Sequence, residues 1–254
     1  MDTKKRSGRS KRIDAIRGQR RKQKQKQRLA TLLTVGGGVL VVVALVVILA
    51  LASNRKPPSV TTTPNAITPY TRPEANGLAM GNPGATVRID VWEDFQCPMC
   101  LQYSENVERK LIDPYIAKGT VYYVFRQYPF IDKKVGGKES KQAANASMCA
   151  SEQGRFWDYH DMLFANWSGE GVGSFSDNRL VTFAEMLSLD MQKFNSCFKA
   201  NRYQDQINKD YQDGDAAGVN GTPSVFVNNT EVTPGYVPTY EQMVQAIEAA
   251  LAGK

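Results

Sequence analysis

Residues 29–52, LATLLTVGGGVLVVVALVVILALA, run for 24 positions without a charge. At about 1.5 Å per residue a helix of that length crosses a hydrocarbon core of about 30 Å. The flank before it is strongly basic. Residues 1–28 hold 13 of the chain's 32 Lys and Arg and 2 of its 25 Asp and Glu, leaving 19 basic against 23 acidic residues after position 28. The net charge of +7 therefore belongs to a tail, and the remainder is mildly acidic. A basic flank orients a span with its tail in the cytoplasm; Arg55 and Lys56 beyond it do not outweigh the tail. The expectation is a basic cytoplasmic tail (1–28) and a single-pass anchor in the cell membrane (29–52), with everything later outside the cytoplasm. A cleaved signal peptide competes, since Ala50-Leu51-Ala52 resembles an A-x-A site, but the apolar run exceeds the 7–15 residues of an h-region. Arg20-Arg21 precedes Lys22-Gln23-Lys24 and is a poor twin-arginine signal. The tail is read as topological rather than as a nucleic-acid site. On either reading residues 53–254 occupy a compartment where disulfides persist.

Residues 53–80 carry Pro57, Pro58, Pro64, Pro69 and Pro73 among threonines, the composition of an extended spacer. A domain then begins near Gly81 and runs to 254. ATVRIDVWEDF alternates apolar and polar residues and predicts a strand. CPMCLQYSENVERKLIDPYI places Leu101, Val107, Leu111 and Ile112 at helical spacing, with a break near Pro114. VYYVFRQYPF predicts a second strand. From about 135 to 215 the chain is helical in character. SVFVNNTEV reads as a hairpin turning at Asn228-Asn229, and TYEQMVQAIEAALA as a closing helix.

Cys97 and Cys100 form a CxxC with Pro98 and Met99 between them. A CxxC serves equally as a staple, half a metal site or a redox centre. Its place after a strand and at the start of a helix favours the last. Unpartnered N–H groups and the helix dipole stabilise a thiolate at Cys97 and lower its pKa from about 8.5. Pro98 suits the first helical turn, where no N–H is needed. Cys100 lies one turn deeper, placed to resolve a mixed disulfide.

With GVNGTPSVFVN (218–228), FRQYPF, AANASMCASEQGRFWDYHDMLF and the run from FNSCFKANRYQ to that loop, the chain from about 81 to 252 resembles the DsbA-like thiol:disulfide oxidoreductases. The resemblance implies an α/β thioredoxin fold, βαβ then ββα, with a helical domain inserted between the halves. It also implies that Pro223 is a cis-proline facing the CxxC, with Thr222 before it pairing with an extended substrate peptide. Many members carry an acidic residue six positions before the first cysteine; here that residue is Val91, so Glu93 and Asp94 become the candidates for a proton relay.

Cys149 and Cys197, 48 residues apart, are expected to form a structural disulfide worth ~4 kcal/mol in the chain-entropy model. A zinc site on all four cysteines is disfavoured, because only one close-spaced pair exists; no metal and no cofactor are expected. His160, the only histidine, is given a structural role. The expected function is an extracytoplasmic thiol:disulfide oxidase that donates disulfides to exported, unfolded proteins. A quinone-linked membrane partner, DsbB-like or vitamin-K-epoxide-reductase-like, would reoxidise it, as the resemblance implies. The rivals are a reductase or isomerase on the same fold, and a tethered chaperone-like module without turnover.

Overall fold

Two strands of β-branched and aromatic residues, β2 (Val87–Glu93) and β3 (Val121–Gln127), lie side by side in parallel, Val91 opposite Phe125 and Glu93 opposite Gln127. In the computed structural model of the chain, residues 63–253 and Val47 are described. The expected tail and nearly all of the expected anchor lie outside them, and no helix among the described residues is long and apolar enough to cross a membrane. From residue 63 on, the described residues form one unit.

Parallel strands need a crossover, and the helical run α1 supplies it. It opens with Pro98–Tyr103, widens into a π turn at Ser104–Glu108, and continues through Arg109–Leu111 to a second π turn at Ile112–Ile116. The break expected near Pro114 is thus a widening. Proline has no N–H to give, and the Ala117 N–H reaches back five residues to the Ile112 carbonyl at 2.8 Å.

Six helices follow: α2 (Ile131–Val135), α3 (Glu139–Ser151), α4 (Phe156–Ala165), α5 (Asp177–Met186), α6 (Met191–Lys199) and α7 (Gln204–Ala217). Cys149 of α3 and Cys197 of α6 are joined by an S–S bond, with Cα atoms 5.8 Å apart. The chain then returns to the sheet as β4 (Ser224–Val227), antiparallel to β2 with Val225 opposite Val91. Asn228 and Asn229, at φ +46° and +68°, turn it into β5 (Thr230–Glu231), and α8 (Tyr240–Leu251) closes the fold behind a capping box of Thr239 and Gln242. The βαβ and ββα halves stand as expected, with the helical block between them.

Alternation is the pattern of a half-buried strand, yet in β2 the structure covers both faces. Val87, Ile89 and Val91 join the main core, while Trp92 packs with Tyr128, Val219 and Phe226 on the other side. There α7 approaches so closely that a Cβ on Gly214 would stand 2.8 Å from the Trp92 ring.

The stretch expected to be spacer is described from residue 63, and from there it lies on the domain. Asn65 and Asn166 exchange hydrogen bonds of 2.7 and 3.0 Å. Met80 is buried, and β1 (Ala79–Met80) adds an antiparallel edge to β3, completing the order β1-β3-β2-β4-β5. Arg72 goes deeper still. Its guanidinium donates to both oxygens of Asp161 at 2.8 and 2.9 Å and to Glu108 at 3.0 Å, beneath the Trp157 ring. What the composition of a spacer does not carry is that such a segment can be pinned by one buried cation shared between two carboxylates. Replacing Arg72 with Ala removes the cation that Glu108 and Asp161 share, and urea unfolding should show a loss of about 3–5 kcal/mol. A loss below about 1 kcal/mol, the value of a surface pair, would mean the segment is held elsewhere.

Candidate active site

The chain leaves β2 at Glu93, turns at Asp94-Phe95-Gln96 and enters α1 at Cys97. Asp94 organises the turn: its carboxylate accepts from the backbone N–H of Gln96 (2.8 Å) and of Ile131 (2.9 Å). Burial outweighs those bonds and raises its pKa to about 7. Gln96 ties the turn to the helical block. Its side chain donates to Asp132 and Ser140 and accepts from the Gly171 N–H, while its carbonyl accepts from the Trp167 indole at 2.7 Å.

Cys97 is the N-cap residue, in extended geometry, with Pro98 in the first turn as expected. Both thiols are free. Cys97 is nearly covered, while Met99 beside it is the exposed member of the turn. The Cys97 thiol lies 3.2 Å from the Thr222 carbonyl oxygen, and the Thr222–Pro223 peptide bond is cis. The tertiary fold therefore brings residues 125 positions apart to one point. The Thr222 hydroxyl is buried without a hydrogen-bond partner among the described residues.

The two thiols differ sharply in acidity. Hydrogen bonding from Cys100, helped by the Met99 and Cys100 N–H groups and opposed by burial, lowers the Cys97 pKa to about 6. Burial, with the Cys97 charge beside it, pushes the Cys100 thiol well above its ordinary value. One sulfur is thus poised as a thiolate and its neighbour as a thiol. That is the electronic arrangement needed for thiol–disulfide exchange.

Of the two relay candidates only Glu93 reaches the sulfurs; Asp94 is committed to the turn. Glu93 is wholly buried against the Cys100 thiol, and neither of its oxygens has a hydrogen-bond partner of ordinary geometry. Burial first, then the charges of Glu108 and Cys97, hold its carboxyl well above the usual range. Val91, where the family pattern has its acid, is a core residue. Behind Glu93 lie Glu108 and His160, one ligand-type atom of each within 4.8 Å of the others and all buried. Among the described residues this is the one grouping with a spacing that a metal would accept, but the Arg72 guanidinium already fills the role of a cation there.

Glu108, Gln96 and Arg72 escaped the sequence reading. For Glu108 a signal was present: Cys100, Ser104 and Glu108 recur every four residues, on the stripe that Leu111 extends into the core. A carboxylate on that stripe marks a buried charge.

A family model described as "Thioredoxin" matches residues 74–249. The chain belongs to the thioredoxin family. It is 31% identical over 169 residues to the "Na(+)/H(+) antiporter NhaA 1" of Salinispora arenicola; the match covers 66% of this chain, which spans about a quarter (24%) of the antiporter's length. It is 26% identical over 177 residues to the "Probable disulfide bond formation protein D" of Bacillus cereus, covering 68% of this chain and 78% of that one. The crystal structure of oxidised BdbD from Bacillus subtilis superposes with a TM-score of 0.62 at 22% identity, covering 72% of this chain and 96% of that one. The fold is thus that of the DsbA-like thioredoxin proteins, with their helical insertion.

The acidity of Cys97 is open to a direct check. Thiolate absorbance near 240 nm, titrated on the reduced chain, should show a transition near pH 6 that Cys97→Ser abolishes. Cys100→Ala should move that midpoint up toward the free-cysteine value of about 8.5. An unmoved midpoint would mean that Cys100 contributes nothing to the thiolate.

Proposed function

We propose that this chain is a thiol:disulfide oxidoreductase working as an oxidase on exported proteins, tethered to the outer side of the cell membrane by residues 29–52. The observation that carries this reading is the pair of free thiols at the start of α1, Cys97 at its N-cap 3.2 Å from the Thr222 carbonyl and Cys100 sealed one turn deeper, an arrangement that lowers the Cys97 pKa to about 6 and raises that of Cys100.

A thiolate of an unfolded substrate attacks Cys97 Sγ, the Cys97–Cys100 bond breaks, and its electron pair leaves on Cys100, which takes a proton. A second substrate thiolate then attacks the substrate sulfur of the mixed disulfide, and Cys97 leaves as a thiolate. The substrate has lost two electrons and the pair has gained them. Acidity at Cys97 makes it a good leaving group and stabilises the reduced pair, which makes the disulfide form oxidising. The bond between Thr222 and Pro223 presents a carbonyl beside Cys97, where an extended substrate backbone can lie. A quinone-linked membrane oxidase, DsbB-like or vitamin-K-epoxide-reductase-like, takes the electrons. Proteins described as forming disulfide bonds among the relatives support the direction. The basic tail and charge-free run support the location.

Equilibrating the full chain in glutathione buffers tests direction. An oxidase gives a potential well above the about −270 mV of thioredoxin and toward the about −120 mV of DsbA; a value at or below about −270 mV would make the chain a reductase. The pH dependence carries a sign. Below about pH 6 reduction takes up two protons per two electrons, so the potential falls by about 59 mV per pH unit. Above it Cys97 stays a thiolate, at most one proton enters from solvent, and the slope falls to about 30 mV or less. Undiminished oxidation of a reduced, unfolded protein by Cys97→Ser would overturn this mechanism.

A further inference from the structure

The proton that Cys100 takes up must come from somewhere, and Cys100 is sealed from water. Glu93 is the adjacent group, but a single buried carboxyl can exchange only one proton before it needs a partner of its own. His160 stands in that place. Its buried ring packs against Phe95, Phe125, Trp157 and Phe164.

The tautomer follows from the hydrogen bonds. Asp161 is clamped by two bonds from Arg72, at 2.8 and 2.9 Å. Although burial alone would raise it, bonds from His160 and Arg72 keep its carboxyl below the usual range. It is therefore an acceptor, and His160 Nδ1, 3.0 Å away, must carry a hydrogen. Nε2 of the neutral ring is then a lone pair, and it has no hydrogen-bond partner among the described residues. It faces Glu108 Oε2 at 3.7 Å, an oxygen that already accepts from the Tyr123 hydroxyl. One nitrogen of His160 and one oxygen each of Glu93 and Glu108 lie within 4.8 Å of one another. Nε2 and Glu108 Oε2 are thus two acceptors facing one another with no proton between them. Separations of this size are closed by one water or by a small movement of the Glu93 carboxyl.

We propose that His160 is the second proton station of the redox centre: Nε2 takes up and returns the proton that Glu93 exchanges with Cys100, and Asp161, clamped by Arg72, is the positioning residue that fixes the tautomer. This rests on the exchange chemistry proposed above. When a substrate thiolate opens the Cys97–Cys100 bond, the electron pair settles on Cys100 Sγ, which takes the Glu93 proton. The Glu93 carboxylate is reprotonated from the His160 imidazolium. On reoxidation Cys100 returns its proton to Glu93 and thence to Nε2; no electrons travel along the path.

The groups facing this path come from every element around it: Glu93 on β2, Tyr103, Glu108 and Arg109 on α1, Tyr123 on β3, Asp161 on α4 and Arg72 on the leading segment. With Glu93 protonated, Glu108 and Asp161 carry the negative charge of the set; Arg72 pairs with both, and Arg109 stands near Asp161. Arg109 is the half-exposed member of the set, 3.7 Å from Asp161, and marks the side on which protons meet water.

Because His160 is the only histidine, its ring nitrogens can be followed without assignment in the full chain labelled with 15N-histidine. Comparing oxidised and reduced chain across pH, the fraction of Nε2 carrying a proton should differ severalfold between redox states, and the difference should vanish in Glu93→Gln. Kinetically, Glu93→Gln and His160→Gln should each slow reduction of the pair by a dithiol peptide. The His160 effect should be on the order of tenfold at pH 7, below the 10²–10⁴ of a directly transferring group. The double variant should be no slower than Glu93→Gln alone, since both act on one proton. A redox-independent Nε2, or slowing that multiplies in the double variant, overturns the relay while exchange by the wild type stands. Failure of the wild-type pair to exchange at all overturns the functional reading as well. The wild-type measurement needs no variant to fold.

Discussion

Removing an ionised group from water costs several kcal/mol unless other charges and hydrogen bonds replace the water, and this fold buries a run of such groups beneath one pair of sulfurs. Cys97 is tolerable as a thiolate because the first turn of α1 and the Cys100 thiol face it. Cys100 is not tolerable as one, because nothing comparable does. Glu93 meets the same constraint by holding its proton. Glu108 and Asp161 meet it through Arg72. The centre's chemistry is the pattern of which buried groups have found partners and which have not.

That pattern makes the leading segment part of the site. Residues 63–80 contribute an edge strand and a buried arginine, and the arginine fixes Asp161, which in turn fixes the imidazole. The helical block is likewise more than a lid. It supplies the histidine, and through Gln96 it grips the turn that carries the cysteines. Both attachments act on the sulfurs through short, buried hydrogen bonds, which a low-dielectric interior strengthens.

Legibility in the sequence tracked the range of the interaction. The strand before Cys97, the helix after it and the asparagine turn are local patterns. Their causes lie within a few residues, and they were readable. The buried second face of β2 was not, because α7 arrives there from more than a hundred positions away. Nor was the docking of Arg72, whose two carboxylates lie 36 and 89 residues on. Between Glu93 and Asp94, neighbours of identical charge, strand alternation favoured Glu93 as the one on the face of Val91, but the decision depends on where β3 and α2 come to rest.

Residue order alone sets the chemistry available: two cysteines one helical turn apart at a strand–helix junction, a Thr-Pro loop of the right kind, and a charge-free run that divides the chain. These are covalent spacings and local preferences, which no packing can change. Long-range packing selects which acid sits under the sulfurs, brings Thr222 to Cys97, and leaves the lone histidine with one nitrogen committed and one open. Those are matters of desolvation and reach. Both depend on the whole fold, because a group's pKa is set by the water it has lost and the partners it has met.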